Sequence, residues 1–239
     1  MRETLFSLVA PVFNEEKNIG SFYCQAASAL NSLQGKYEIV FVDDASCDGS
    51  LPALREIAAK DNRVRVVSLK ERRGQQVAYL AGLVQAKGRY IITADSDLQY
   101  DLKEIPLMVG RLIRGCDAVA GKRIMRKDPA YRKIASLLLN KIMDLRIGRH
   151  IDDWGCSFCA LDRRLLFKIL SLGRNARFLK PAAVLMAKRI EQVEVNHFCR
   201  NGVSRYSFLG LCWLALNMLN NRFVPSGSCN ELFRVAEVF

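Results

Sequence analysis

Tyr37-Glu38-Ile39-Val40-Phe41-Val42-Asp43-Asp44-Ala45-Ser46-Cys47-Asp48-Gly49-Ser50 is the stretch whose reading decides the fold. A run that is nearly all β-branched or aromatic, as a strand buried on both faces requires, stops at two carboxylates and turns into a helix. Upstream, Leu5–Val12 reads as a strand and Glu15–Leu33 as a helix. Downstream, Leu51–Ala59 is helical, Val64–Leu69 a strand, Gln75–Gln85 a helix, and Tyr90–Ala94 a strand ending at further carboxylates. This alternation predicts an α/β fold with a mostly parallel sheet, right-handed crossovers and helices on both faces. Ligands of such sheets sit beyond the carboxyl ends of the strands. Asn14-Glu15, Asp43-Asp44 and Asp95-Ser96-Asp97 follow strands and are therefore expected to face one crevice.

After Gly121 the pattern loosens. A basic loop leads to a helix near Ala130–Leu145, a short segment at Cys156–Leu161, a helix after Asp162 and a strand at Val193–His197. An apolar run from Phe208 to Leu216 is extendable to Leu219 across Asn217, against about 20 residues for a spanning helix. It is expected to lie in a membrane interface, to bind a partner's membrane helix, or to be an ordinary core helix. No internal repeat or low-complexity segment is present.

The chain has 239 residues, 50% apolar and 25% charged, which excludes disorder as the main state and favours one domain with an appendage. Residues 1–121 hold 15 basic and 15 acidic side chains, so the whole net charge of +12 lies after Gly121. Residues 122–149 contain nine basic and two acidic side chains, and residues 162–205 ten and three. An anionic partner is expected for this half. Nucleic acid and an anionic membrane surface both attract such charge, and a merely solvated basic face has the same composition. Against nucleic acid, the basic residues lack interleaved aromatics and the carboxylate crevice repels phosphates unless it is metal-loaded. The eight cysteines are scattered, mostly in apolar runs, and read as buried thiols of a reducing compartment rather than a disulfide framework or a zinc site. Arg2-Glu3 leads directly into a strand pattern, which is no signal peptide, so export is not expected.

Asp95 and Asp97 flank one residue directly after a buried strand. Two like charges about 4 Å apart repel by roughly 4 kcal/mol at an effective dielectric near 20, and a divalent ion bridging to a diphosphate removes that cost. Hard oxygen ligands suit Mg or Mn, with Gln99 as a further oxygen donor. An ordinary surface loop carries Asp-x-Asp as well, but the position at a strand end favours the site. Asp43 and Asp44 are placed to accept hydrogen bonds from a ribose hydroxyl or a base amide, while Ser46 or Asp48 caps the following helix. No Walker loop and no Gly-x-Gly-x-x-Gly occurs, so ATP phosphoryl transfer and dinucleotide binding lose support.

Pro11-Val12-Phe13-Asn14-Glu15-Glu16-Lys17-Asn18-Ile19, Val42-Asp43-Asp44-Ala45-Ser46 with Asp48-Gly49-Ser50, and Asp95-Ser96-Asp97-Leu98-Gln99 resemble family 2 glycosyltransferases of the GT-A fold. Gly121-Lys122-Arg123 with Arg126, Asp153-Trp154-Gly155-Cys156 ahead of Arg163-Arg164, and His197, Arg200, Gly202, Ser204-Arg205-Tyr206 look like the later motifs of the dolichyl- and polyprenyl-phosphate sugar transferases. The likeness covers about residues 5–206.

The resemblance implies a hexosyltransferase that uses a nucleotide-sugar and Mg or Mn. It implies that Pro11, Phe13, Glu15, Val42 and Asp44 hold the nucleotide, with Ala94, Asp95 and Ser96 in the same donor site, and that Asp95, Asp97 and Gln99 bind the metal. Arg123, Arg132 and Ser136 would bind the acceptor phosphate, with Arg200 and Arg205 on the diphosphate or acceptor side. The expected division is a catalytic domain at 1–206, split into a nucleotide-sugar half (1–121) and a basic acceptor half (122–206), then an apolar helix and tail at 207–239. Departures are Tyr100-Asp101-Leu102 where the family often has paired prolines, Cys159 in place of Arg, and an Arg200–Gly202 spacing one residue short. No pair of C-terminal membrane helices follows, so membrane contact is expected to be peripheral, at the cytosolic face, or through a small membrane partner.

A polyprenyl monophosphate loses its second proton near pH 6, as phosphorylated side chains do, and is already a nucleophile at neutral pH. No general base is then needed, which agrees with only two histidines in the chain. Direct attack predicts inversion. A saccharide hydroxyl acceptor would instead need a base, with Asp152 or Asp153 as candidates. The donors compatible with the sequence are GDP-mannose, UDP-glucose and UDP-N-acetyl or amino sugars.

Overall fold

The computed structural model describes residues 4–124, 130–198, 216–217, 220–221 and 223–239, with residues 130–135 described by backbone alone. The first half alternates as expected: β1 (Phe6–Val12), α1 (Glu16–Asn31), β2 (Tyr37–Asp43), α2 (Ser50–Lys60), β3 (Val64–Leu69), α3 (Gln75–Gln85) and β4 (Tyr90–Thr93). β1 pairs in parallel with β2 and β4, and β2 with β3, so these strands end at one edge. The register sets Val12 opposite Asp43 and Val9 opposite Thr93.

The pattern of two explains the layers. Phe6, Leu8, Ala10 and Val12 of β1 join Ile39 and Phe41 of β2 in a core with Ile19, Phe22 and Leu54. The intervening Val9, Val40 and Val42 enter a second core with Ala78, Leu80 and Leu83 of α3. Successive strand side chains point to opposite faces, so a strand covered on both sides is apolar throughout. Each large apolar side chain buried this way contributes about 1.5–3 kcal/mol.

The second half continues with α4 (Ile105–Ile113), β5 (Ala118–Ile124), α5 (Ala130–Ile147), β6 (Cys159–Asp162), α6 (Arg163–Leu170), α7 (Leu179–Met186), β7 (Ile190–Asn196) and β8 (Val235–Val238). The sheet order is β7-β5-β6-β4-β1-β2-β3-β8. β5 and β7 are parallel to each other, whereas β6 is antiparallel to both β4 and β5. A reversed β6 leaves β5 running in the same sense as β4. The ends of β4, β5 and β7 and the approach to β6 consequently share the edge at which β1, β2 and β3 terminate.

Three differences from the sequence reading have physical causes. α4, β5 and α7 were not anticipated: β5 is built from Ala118, Val119, Ala120 and Gly121 before its basic end, small residues that carry a weak β signal. β7 begins at Ile190, ahead of the expected Val193. The end of the segment expected as an appended tail belongs to the domain, since β8 pairs antiparallel with β3 and Cys229 and Phe233 are buried in the second core. The apolar run 208–215 lies outside the described residues. Among the described cysteines, Cys116, Cys156, Cys159 and Cys229 are buried free thiols, as expected, while Cys24 and Cys47 are exposed.

Helix α3 approaches the sheet closely at Gly82, where an added Cβ would stand 2.5 Å from Val9 Cγ1 and 2.7 Å from Val42 Cγ2. Ala gains about 1 kcal/mol of helix propensity over Gly, but overpacking a core costs about 1–3 kcal/mol or more. With two clashes this short the clash wins. Gly82→Ala is expected to lower unfolding free energy by about 1–2 kcal/mol, read from the urea midpoint at unchanged slope.

Candidate active site

Among the described residues, three outside the glycines have positive φ: Asn14 at 51°, Ala45 at 55° and Leu98 at 60°. They follow β1, β2 and β4 respectively, inside the three polar clusters. A side chain with a Cβ is costly in this region, more so for Ala and Leu than for Asn, and such strain collects where a site must be shaped. Asn14 Oδ1 accepts from the Cys47 N–H at 2.8 Å, and the Asn14 N–H donates to Ser46 Oγ at 3.0 Å, which ties the first two clusters together. Asp48 accepts from the N–H of Ser50 at 2.9 Å and of Glu16 at 3.3 Å, so one carboxylate serves the starts of α2 and α1.

Asp44 accepts from the backbone N–H groups of Arg73 (2.7 Å) and Gly74 (2.8 Å), anchoring the loop after β3. Burial nevertheless holds its carboxyl above the usual range, and burial likewise raises Asp43 against the pull of Ser46. In that loop the Arg72 guanidinium lies 4.0 Å from the centre of the Phe13 ring, a cation–π contact.

The loop after β4 is held from several sides. Asp95 accepts from Gln75 Nε2, from the Tyr79 hydroxyl at 2.6 Å and from Ser157 Oγ at 2.5 Å. Burial, with the Asp95 charge added to it, raises Tyr79 well above its ordinary value and keeps it a neutral donor. Ser96 Oγ donates to the Pro11 carbonyl at 2.8 Å, locking this loop to β1. Asp97 is half-buried and accepts from the Gln99 N–H at 3.2 Å, while Gln99 Nε2 donates to the Phe198 carbonyl at 3.4 Å. Tyr100 bridges to His197, with the rings edge to face at 5.7 Å.

At the end of β5, Arg123 makes a two-pronged pair with Asp153: Nε to Oδ2 at 2.7 Å and Nη2 to Oδ1 at 2.9 Å. The Arg123 N–H donates to the same carboxylate at 3.2 Å. Their side chains are 15% and 4% exposed, so the pair is held largely away from water. Both Asp153 oxygens thus accept from a permanently charged guanidinium, which disfavours the role of base considered for a hydroxyl acceptor. Arg123 and Asp153, with Lys122, Ser136, Leu137, Asn140 and Asp152, line a cavity of about 350 Å³. Helix α5 grips the far side of this wall, with Asn140 Oδ1 accepting from the Trp154 N–H (3.2 Å) and Asp144 Oδ1 from Trp154 Nε1 (2.7 Å).

The expected site residues therefore separate into groups. Phe13, Asp44, Asp95, Ser96, Asp97 and Gln99 meet at the carboxyl edge of β1, β2 and β4, and Arg123, Ser136 and Asp153 meet at one cavity beyond β5. Glu15 is 6% exposed, and Pro11, Val42 and Ala94 are buried, so the last three offer a ligand their main chain rather than their side chains. The Arg132 side chain, Arg126, Arg200 and Arg205 lie outside the described residues. Arg163 sits at the opposite edge, its guanidinium donating to the carbonyls of Ala86 and Gly88. The sequence reading missed Arg72, Gln75, Tyr79 and Ser157. The loop after β3 was open to the same strand-end rule, whereas nothing local marks Ser157.

Residues 7–170 match the family described as glycosyl transferase family 2. The chain belongs to that family. It is 36% identical over 215 residues, 89% of its own length, to an undecaprenyl-phosphate 4-deoxy-4-formamido-L-arabinose transferase of Proteus mirabilis. It is 35% identical over 223 residues, 91% of its length, to a dodecaprenyl-phosphate galacturonate synthase of Rhizobium johnstonii. The chain spans 66% of the length of each of these relatives. Its fold is that of the glucosyl-3-phosphoglycerate synthase of Mycobacterium tuberculosis, solved with Mn2+, UDP and phosphoglyceric acid, at a TM-score of 0.66 and 21% identity, covering 93% of this chain and 80% of that one. The GT-A-like architecture expected of a family 2 glycosyltransferase is thus present.

A carboxyl raised by burial supports the fold in its protonated form and opposes it when ionised, so its contribution is complete below about 3.8 and lost as pH rises through the folded value. Asp43→Asn is therefore expected to leave the denaturation midpoint at pH 7 unchanged or higher than wild type, the excess shrinking as the pH is lowered to about 4. Denaturant titrations at a series of pH values check the sign.

Proposed function

We propose that this glycosyltransferase moves a sugar from a nucleotide-sugar to a polyprenyl phosphate, with inversion at the anomeric carbon. One observation carries the reading: Arg123 is held by Asp153 in the wall of a cavity shared with Ser136, beyond the same sheet edge that bears the Asp95–Asp97 loop. The names of the relatives from Proteus and Rhizobium, both polyprenyl-phosphate sugar transferases, support the same acceptor class.

On the donor side, Phe13, Glu15 and the Asp43–Asp44 turn are placed to take the nucleoside, with the main chain of Pro11, Val42 and Ala94 forming the floor. Asp97, with Asp95 and Gln99 around it, offers hard oxygens suited to Mg or Mn, and among the described residues no three His, Cys, Asp or Glu side chains converge as a complete cage. That arrangement fits an ion whose remaining ligands are substrate phosphates, and when bound the ion supplies stabilisation of negative charge on the departing nucleoside diphosphate. Asp95, engaged by Gln75, Tyr79 and Ser157, sets the loop's position.

On the acceptor side, Arg123 and Ser136 orient a phosphate whose second ionisation near pH 6 makes it a competent nucleophile. The chain's contribution is placement of that oxygen against the anomeric carbon, a term that alone reaches about 7–11 kcal/mol in well-oriented systems. Of the two carboxylates that could serve a hydroxyl acceptor as base, Asp153 is paired with Arg123 and Asp152 with Lys122 and His150, which supports the phosphate reading.

Membrane contact in this reading is peripheral, on the cytosolic face. No helix among the described residues is long and apolar enough to cross a membrane. Helix α5, however, leaves Leu137, Leu138, Ile142 and Leu145 at 68, 61, 37 and 79% exposure, and Leu137 also lines the cavity. Lys141 and Arg146 are exposed beside them. An apolar stripe flanked by cations suits the headgroup region of an anionic bilayer, where each Lys or Arg contributes about 1 kcal/mol.

Incubation with Mg or Mn, a panel of GDP- and UDP-sugars and a short prenyl phosphate should yield a charged glycolipid. Asp97→Ala is expected to lower its formation by about 100-fold or more at an unchanged melting temperature. Retained turnover in that variant contradicts the metal assignment. The double substitution Leu138→Glu, Leu145→Glu is expected to abolish co-sedimentation with anionic vesicles while turnover of a water-soluble prenyl phosphate persists; undiminished sedimentation would remove α5 from the membrane contact.

A further inference from the structure

Lys180, the second residue of α7, is 6% exposed. Its Nζ donates to the Gly121 carbonyl at 3.1 Å and to the Asp153 carbonyl at 2.8 Å. Among the described residues, no carboxylate lies within ion-pair distance of it. A buried ammonium is costly, and the first turn of a helix, where the macrodipole is positive, is an unfavourable place for one. Two carbonyl dipoles offset part of that cost without neutralising the charge.

Both carbonyls belong to the acceptor wall. Gly121 lies two residues before Arg123 on β5, and Asp153 is the partner that takes both prongs of the Arg123 guanidinium. Lys180 therefore clamps the two chain segments whose relative position sets the Arg123–Asp153 pair. It also changes the charge of the wall. Arg123 and Asp153 cancel, and Lys122 faces two carboxylates, Asp152 at 3.3 Å and Glu194 at 3.7 Å, so the cation at Lys180 offsets the excess of carboxylate an arriving anion would otherwise meet. The thiols of Cys156 and Cys159 sense the same cation, which pulls both downward against the rise that burial imposes.

The geometry points to Lys180 as a positioning residue for the acceptor: it holds Arg123 and Asp153 in register and supplies a positive charge that no adjacent carboxylate pairs with, which favours a phosphate monoester in the cavity. This rests on the reading of the cavity as the acceptor site. Donor binding, which uses the edge at β1, β2 and β4, is not served by Lys180.

Two substitutions separate charge from packing. Lys180→Gln keeps a donor for the carbonyls and removes the charge, and Lys180→Met removes both with little change in volume. With farnesyl phosphate as acceptor and saturating donor, both variants are expected to raise the acceptor KM by about tenfold or more while kcat changes less than about threefold. Nucleoside diphosphate affinity by calorimetry and melting temperature should stay at wild-type values in the Gln variant. An unchanged KM in both variants overturns the inference. So does a KM that rises only together with weaker nucleotide binding and a lower melting temperature, the signature of a purely structural lysine. Should wild-type protein itself fail to saturate with farnesyl phosphate while still binding nucleotide, the acceptor assignment fails first, and the role of Lys180 with it.

Discussion

Between Asp153 and Ser157 the chain joins two charged groups that belong to different strands. At one end Asp153 holds the Arg123 guanidinium beyond β5, and at the other Ser157 donates to Asp95 beyond β4. The Ser157 carbonyl also accepts from Thr93 Oγ1 at 2.7 Å, which pins the segment to β4 itself. β6 then enters antiparallel between β4 and β5 and holds those strands apart by its own width. The separation between the carboxylate loop and the guanidinium wall is thus set by backbone pairing on both sides rather than by a free loop. For the proposed transfer, where a misplacement of about 1 Å can cost about 100-fold, such two-ended tethering suits a rate set by placement.

The polar groups that make this possible are costly to the fold. Leaving one partner of a buried ion pair behind costs about 3–5 kcal/mol, although the intact pair adds little net stability over an apolar replacement. Each positive-φ residue outside glycine adds about 1–3 kcal/mol of strain. These costs gather at the carboxyl edge, where Asn14, Ala45 and Leu98 sit among Asp43, Asp44 and Asp95. They are offset from within the sheet, whose central strands β1 and β2 are buried along their whole length and face an apolar core on each side. The architecture places stability in the middle of the strands and strain at their ends.

The charge asymmetry of the chain follows the same geometry. The neutral half supplies β1 to β4, the carboxylate clusters and the start of β5, and the basic half supplies the end of β5, α5 and the cavity wall. Because β6 reverses direction, the basic end of β5 emerges beside the acidic end of β4 instead of at the far edge. In the proposed reaction donor and acceptor are both anionic, so the carboxylates would meet the donor through a divalent ion and the basic groups would meet the acceptor directly, and the sheet order keeps the two sets on one edge.

Much of this was written locally. The strand pattern of Phe6–Val12 and Tyr37–Asp43, the carboxylates at Asp43 and Asp95 that stop the strands, and the excess of Lys and Arg after Gly121 are properties of neighbouring residues, so the sequence alone determined the α/β class and the one edge that the polar clusters share. β5, with its small residues, and α7 lacked that local signature, and they were recognised only through the strands and helices packed on them. Tertiary structure alone decided that Asp153 is the partner of Arg123, that Ser157 and Tyr79 hold Asp95, and that β8 pairs with β3. The reason is physical: periodicity records which face of an element is dry, but a buried charge acquires its role from whichever partner long-range pairing brings within about 3 Å of it.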